Sequence, residues 1–156
     1  ALIAAAVALS LLAMAQVLRL DFVLSNATLS MPVGLYLRTS GVIDRGAIVT
    51  VRAGAVAPGY AAERNFTDPG DRFLKRVAGV AGDVVCATGA EVRLNGQRLA
   101  PRQEVDRAGR ALPHWEGCVT LAPGQVFLLG DSPDSCDGRY WGPTPVEQIE
   151  GVWRKL

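Results

Sequence analysis

The first eighteen positions hold sixteen apolar side chains and no charge, interrupted only by Ser10 and Gln16. A run of this kind predicts a helix, and at ~1.5 Å per residue it nearly crosses a hydrocarbon core ~30 Å thick. Every charged side chain falls from Arg19 onward, and every Gly and Pro from Pro32 onward. From there the pattern changes to short apolar runs separated by turn residues, which predicts strands. The runs lie at 34–38, 47–52, 73–78, 83–87, 91–94, 97–99, 125–129 and 150–154. Asn95-Gly96, between two of them, is the strongest hairpin signal in the chain. Residues 59–66 suit a short helix, Pro69-Gly70 a turn, and 101–123 an irregular excursion rich in Pro, Gly and Arg. No internal repeat and no long amphipathic helix follow the leader. The expected fold class is therefore mainly β, antiparallel and barrel-like, with an N-terminal transmembrane helix. The expected domains are an anchor over 1–19 and an exported domain over 20–156.

The leader has two main readings. One is an uncleaved anchor, the reading favoured here. The other is a signal peptide cut after Ala13-Met14-Ala15, an A-x-A site behind a short apolar run. A core helix would show a polar stripe, which this segment lacks. Both main readings send the remaining residues across a membrane. Residues 20–156 then read as a loop-rich exported domain.

Composition narrows the function. A chain of 156 residues with 49% hydrophobic and 20% charged side chains has a core and is not disordered. A net charge of +1 leaves no basic footprint, so no nucleic-acid partner is expected. With one His (His114, read as a loop or surface residue) and no C-x-x-C, no metal site is expected, and no cofactor motif is present. Cys86 and Cys118 could form a disulfide in an oxidising compartment or remain two buried thiols. Cys136 is left over. Of the 16 basic residues only Lys75 and Lys155 are Lys.

Three segments carry candidate chemistry. The first, Asn26-Ala-Thr-Leu-Ser-Met-Pro-Val-Gly-Leu-Tyr36, sets Ser30 just before Pro32, which disfavours helix at Met31. Alone, Ser30 reads as an exposed loop serine. The second runs from Asp71 to Asp83. On a strand, Lys75 shares a face with Phe73 and Val77, where a charged amine is costly. Lys can shed its proton there and Arg cannot. The plainer reading is a Lys whose stem packs while its ammonium reaches water. The third is Gly130-Asp-Ser-Pro-Asp-Ser-Cys-Asp-Gly-Arg-Tyr-Trp-Gly142. There Ser135 can meet an amine, and Asp137 and Arg139 can share a strand face and pair. The plainer reading is a solvated loop. Its Asp spacing does not match an EF-hand.

In this order the three segments resemble the nucleophile, general-base and terminal boxes of the signal peptidase I (S26) family of membrane-anchored serine proteases. Within it they are most similar to the TraF-type conjugal-transfer peptidases, as are Gly109-Arg-Ala-Leu-Pro113 and Phe127-Leu-Leu-Gly-Asp131. The chain departs from the family at Gly138, often Ser there, and at Cys136, where a larger apolar residue is expected. Its terminal box is also one residue shorter.

The resemblance implies the signal-peptidase fold and a Ser30/Lys75 dyad. It also implies an oxyanion hole made by the Ser30 N–H and the Thr28 hydroxyl, with Ser135, Asp137 and Arg139 in support. The implied substrate is an exported precursor with small residues before the cut, a conjugative pilin precursor being favoured over general signal peptides. The implied location is the bacterial inner membrane, single-pass, with the catalytic domain in the periplasm. Conjugation or type IV secretion components are further implied partners. Ser30 lies twelve residues beyond Leu18, at most ~43 Å of extended chain from the bilayer. A LexA-type self-cleaving repressor fits poorly, because the chain has an apolar leader and no helix-turn-helix pattern. A non-catalytic anchored scaffold is the reading of another class.

Overall fold

The computed structural model describes Ala5, Val7 and residues 22–156. The expected anchor over 1–19 lies, those two residues apart, outside the described residues. Among the described residues, no helix is long and apolar enough to cross a membrane.

Eleven strands follow: β1 (Val23–Asn26), β2 (Gly34–Thr39), β3 (Ile48–Arg52), β4 (Arg72–Gly79), β5 (Val84–Thr88), β6 (Glu91–Leu94), β7 (Gln97–Pro101), β8 (Gly117–Thr120), β9 (Gln125–Leu129), β10 (Thr144–Pro145) and β11 (Ile149–Lys155). Three short helices interrupt them: α1 (Ala53–Val56), α2 (Pro58–Glu63) and α3 (Gly138–Trp141). A seven-stranded sheet runs β1-β2-β11-β3-β4-β9-β10, and a four-stranded sheet runs β7-β6-β5-β8. Every paired strand is antiparallel.

All eight apolar runs are strands, to within a residue or two at their ends. The β6–β7 turn at Asn95-Gly96 has positive φ at both residues, 51° and 81°, as a two-residue hairpin of primed type requires. Three strands escape the pattern. β1 is an edge strand with exposed apolar positions, β10 has two residues, and β8 lies inside the excursion read as irregular. β8 is held by pairing with β5, where Cys86 and Cys118 stand opposite each other and are disulfide-bonded.

Strand alternation on β9 joins the cores. Val126 and Leu128 pack with Val49, Val51 and Val77 inside the larger sheet. Phe127, on the opposite face, packs with Val85, Ala87, Val92 and Leu121 of the smaller sheet and its margin. A third cluster, Met31, Tyr36, Leu74 and Trp153, lies beneath the loop after β1. That loop and the turn after β9 both end beside β4, which brings the three chemically distinctive segments to one region.

Candidate active site

Lys75 sits in the middle of β4, with Phe73 and Val77 on its face and Val49 opposite on β3. Those three neighbours belong to the core cluster of the larger sheet. The residue is 2% exposed, so its ammonium is not held out in bulk solvent. Nζ donates a 2.8 Å hydrogen bond to Ser135 Oγ and lies 5.3 Å from the centroid of the Phe73 ring. Burial pushes the amine down from 10.5 to about 8, against a partial upward pull from the Asp137 carboxylate. A substantial fraction is therefore neutral in mildly alkaline water.

The turn from Gly130 to Asp137 is built around a buried ion pair. Arg139 Nε and Nη2 donate to the two Asp137 carboxylate oxygens at 2.8 and 2.7 Å, and both residues are at most 1% exposed. The other Arg139 donors reach the carbonyls of Ser132, at 2.7 Å, and Pro133, at 2.8 Å. Asp137 also accepts from Gly130 N at 2.8 Å, closing the turn from its other end. The pairing was expected across a strand face. It forms instead at a helix start, because Asp137 caps α3 by accepting from Arg139 N. The position that departs from the family pattern, Gly138, is sterically fixed here. A Cβ there would lie 2.7 Å from the Leu128 carbonyl oxygen.

Ser30 stands on the loop between β1 and β2. Its carbonyl accepts from Asp131 N at 2.7 Å, which docks it on the turn that carries Ser135. Ser30 Oγ is 3.0 Å from Thr28 Oγ1. Tyr36, fully buried, donates its hydroxyl to Pro32 O at 2.5 Å and pins the far end of the loop. A cavity of ≈ 860 Å³ is lined by Thr28, Ser30, Lys75 and Ser135, with β1 and the start of β4 along its length. A smaller one of ≈ 370 Å³ shares Thr28, Ser30 and Ser135 and is walled by the 103–112 excursion. Ser30 thus lines both hollows.

Two serines, a threonine hydroxyl and a weakly basic amine at one cleft can carry out acyl transfer by nucleophile and general base. Cys136, beside them, is a buried thiol outside the disulfide, and burial pushes it up to about 12. It therefore stays protonated. His114 is exposed in a loop. Among the described residues no group of His, Cys, Asp or Glu could hold a metal. The sequence reading missed Asn26, whose amide organises the Ser30 loop, and Gly130, which makes room for Ser135. Asn-x-Thr is a turn signal that could have flagged the first. A Gly next to Asp marks nothing without the fold.

The family described as "Signal peptidase, peptidase S26" matches residues 1–155. The plasmid transfer protein TraF of Escherichia coli is 39% identical over 144 residues, spanning 84% of this chain and 80% of its own length. A signal peptidase I of Leptolyngbya laminosa is 34% identical over 83 residues, 52% of this chain and 38% of its own. The crystal structure of a signal peptidase I from Enterococcus faecalis overlaps 73% of this chain and 98% of that one, at 22% identity and a TM-score of 0.43.

Proposed function

The chain belongs to the S26 signal peptidase family, and from that premise we propose that it is a Ser/Lys endopeptidase. Ser30 attacks a peptide carbonyl, and neutral Lys75 takes its proton. The resulting ammonium gives that proton to the leaving amine. Lys75 then activates a water that releases the acyl chain from Ser30. The Ser30 N–H and the Thr28 hydroxyl face the oxyanion. Ser135 orients the amine, and the Asp137–Arg139 pair braces the turn that carries it. The observation behind this reading is the Lys75 amine. It is buried, pushed down to about 8 and hydrogen-bonded to Ser135, in the wall of the cleft that holds Ser30. In the free chain Ser30 Oγ bonds Thr28, so attack requires its proton to turn toward Lys75.

The substrate we infer is a membrane-delivered precursor with small residues before the cut, in particular a pilin precursor of a plasmid-transfer system. The TraF relative spans 84% of this chain, whereas the signal peptidase I relative spans 52%. The apolar leader supports an anchor in the inner membrane, with Ser30 near its periplasmic surface. The test is incubation of the chain with a transfer-pilin precursor and, separately, with a general secretory precursor, comparing wild type with Ser30→Ala. Cleavage of the pilin precursor by wild type alone is expected. Cleavage of the secretory precursor alone would assign general signal-peptide removal. No product from either would favour a scaffold.

A further inference from the structure

Asn26 ends β1 and is 7% exposed. Its Nδ2 donates to the carbonyls of Thr28, Met31 and Pro32 at 2.9, 3.0 and 3.2 Å. Its Oδ1 accepts from Thr28 N at 3.2 Å and from Thr28 Oγ1 at 2.9 Å. The partners fix which end of the amide is which. Reversed, an oxygen would face three carbonyl oxygens and an NH₂ would face a backbone N–H.

That orientation settles the hydroxyl protons. Oδ1 carries no hydrogen, so Thr28 donates to it. A hydroxyl has one proton, so across the 3.0 Å contact with Ser30 Oγ it is Ser30 that donates. The resting chain runs Ser30 to Thr28 to Asn26. None of the Asn26 hydrogen bonds reaches Lys75 or Ser135.

We propose that Asn26 is the positioning residue of the acyl-transfer site. It holds the Thr28 hydroxyl oxygen beside Ser30 and fixes the backbone curve that carries both. The inference rests on the Ser30/Lys75 reading. When negative charge develops on the substrate carbonyl, the Thr28 proton turns about its C–O bond from Asn26 to the oxyanion. The oxygen itself stays held, because Thr28 N–H remains bonded to Oδ1. No proton leaves Thr28, and the Ser30 proton goes to Lys75. Asn26 touches no reacting atom.

The experiment is steady-state cleavage of a precursor that wild type processes, from pH 6 to 10. Asn26→Ala is expected to lower kcat by about 10- to 100-fold, with KM within about three-fold and the pH midpoint unmoved. In Asn26→Ala/Thr28→Val the loss should be smaller than the product of the two single losses. Asn26→Asp sets a second oxygen against the Thr28, Met31 and Pro32 carbonyls, so its kcat should fall at least as far as in Asn26→Ala. An unchanged kcat in Asn26→Ala, multiplicative losses or a shifted midpoint overturns the proposal. So does an Asn26→Asp that keeps wild-type kcat. If Asn26→Ala does not fold, Asn26→Ser, which loses the same amide donors, takes its place with the same expectations, and an unchanged kcat there overturns it equally. Cleavage by Ser30→Ala would remove the dyad reading and this inference with it. An inactive Ser30→Ala beside an indifferent Asn26 series removes this inference alone.

Discussion

Lys75 Nζ and Ser135 Oγ, sixty residues apart in sequence, are 2.8 Å apart inside the protein. The bond gives a buried amine a fixed direction and leaves the Ser135 hydroxyl proton free. Its loss removes orientation and leaves the amine's surroundings apolar. Ser135→Ala is therefore expected to lower kcat by about 10- to 100-fold and to cost about 1–3 kcal/mol of stability at pH 7, where the buried ammonium loses its acceptor. Precursor cleavage and a melting curve on the same preparation check it. Full activity would show that packing alone aims Lys75.

On the proposed Ser30/Lys75 mechanism activity should climb with pH, because there the neutral amine is the working form. With the amine at about 8, about a tenth is neutral at pH 7 and about nine-tenths at pH 9. The logarithm of kcat/KM is expected to rise with unit slope below pH 8 and level off above it. A profile flat from pH 6 to 9 would count against Lys75 as the base. Lys75→Arg should be inactive at every pH, since guanidinium keeps its charge.

The same burial makes stability rise with pH as well, in a higher window. The unfolded amine holds its proton up to 10.5 and the folded one only to about 8. Between those values the unfolded state binds more protons, so wild-type stability rises with pH across that window. Below pH 8 the chain carries the full cost of a buried charge. Lys75→Met removes that cost and leaves Ser135 without its donor, for a net stabilisation of about 2 kcal/mol at pH 7. The gain should shrink between pH 8 and 10.5 while activity is absent throughout. Denaturant titrations at pH 7 and pH 10 measure both.

The eight strands of the apolar runs, the hairpin at Asn95-Gly96 and the apolar face that Lys75 shares with Phe73 and Val77 were legible from local periodicity or turn chemistry, whereas the candidacy of Lys75 as a base came from the family resemblance. β8 was not legible. It sits in a stretch of mixed composition, and its ladder with β5 supplies what its own sequence does not. The pairing of Asp137 with Arg139 was legible from their spacing, but its geometry was not, since a cap forms only once Gly138 turns the chain into α3. The Asn26 amide escaped for a similar reason. Its carbonyl partners are backbone atoms, which no residue pattern records.

The Asp137–Arg139 pair predicts an asymmetry between variants. Asp137→Asn leaves a guanidinium buried with only carbonyl partners and one neutral amide, and should cost about 3–5 kcal/mol. The double replacement Asp137→Leu/Arg139→Met removes both charges and should cost less than the sum of the two single changes. It should still lose activity, because the turn beneath Ser135 loses its bonds to Ser132, Pro133 and Gly130. Chemical unfolding of wild type, Asp137→Leu, Arg139→Met and the double replacement gives the coupling directly.

Gly130 lies where the Ser30 loop meets the turn that carries Ser135. A Cβ there would lie 2.1 Å from Ser135 Oγ and 2.8 Å from the Ser30 carbonyl oxygen. Its N–H already bonds Asp137, and the next residue's N–H holds Ser30. The backbone therefore cannot retreat without releasing one of them. Gly130→Ala should push Ser135 off Lys75 and Ser30 off the turn together. The expected cost is about 1–3 kcal/mol of stability, with more than about 100-fold of activity lost. Gly59 in α2 is the control, since a Cβ there meets open space and its φ is not left-handed. Gly59→Ala should be neutral in activity and up to about 1 kcal/mol more stable. Equal behaviour of the two variants in melting and cleavage would show that the close approach at Gly130 is not what aligns Ser30 with Lys75.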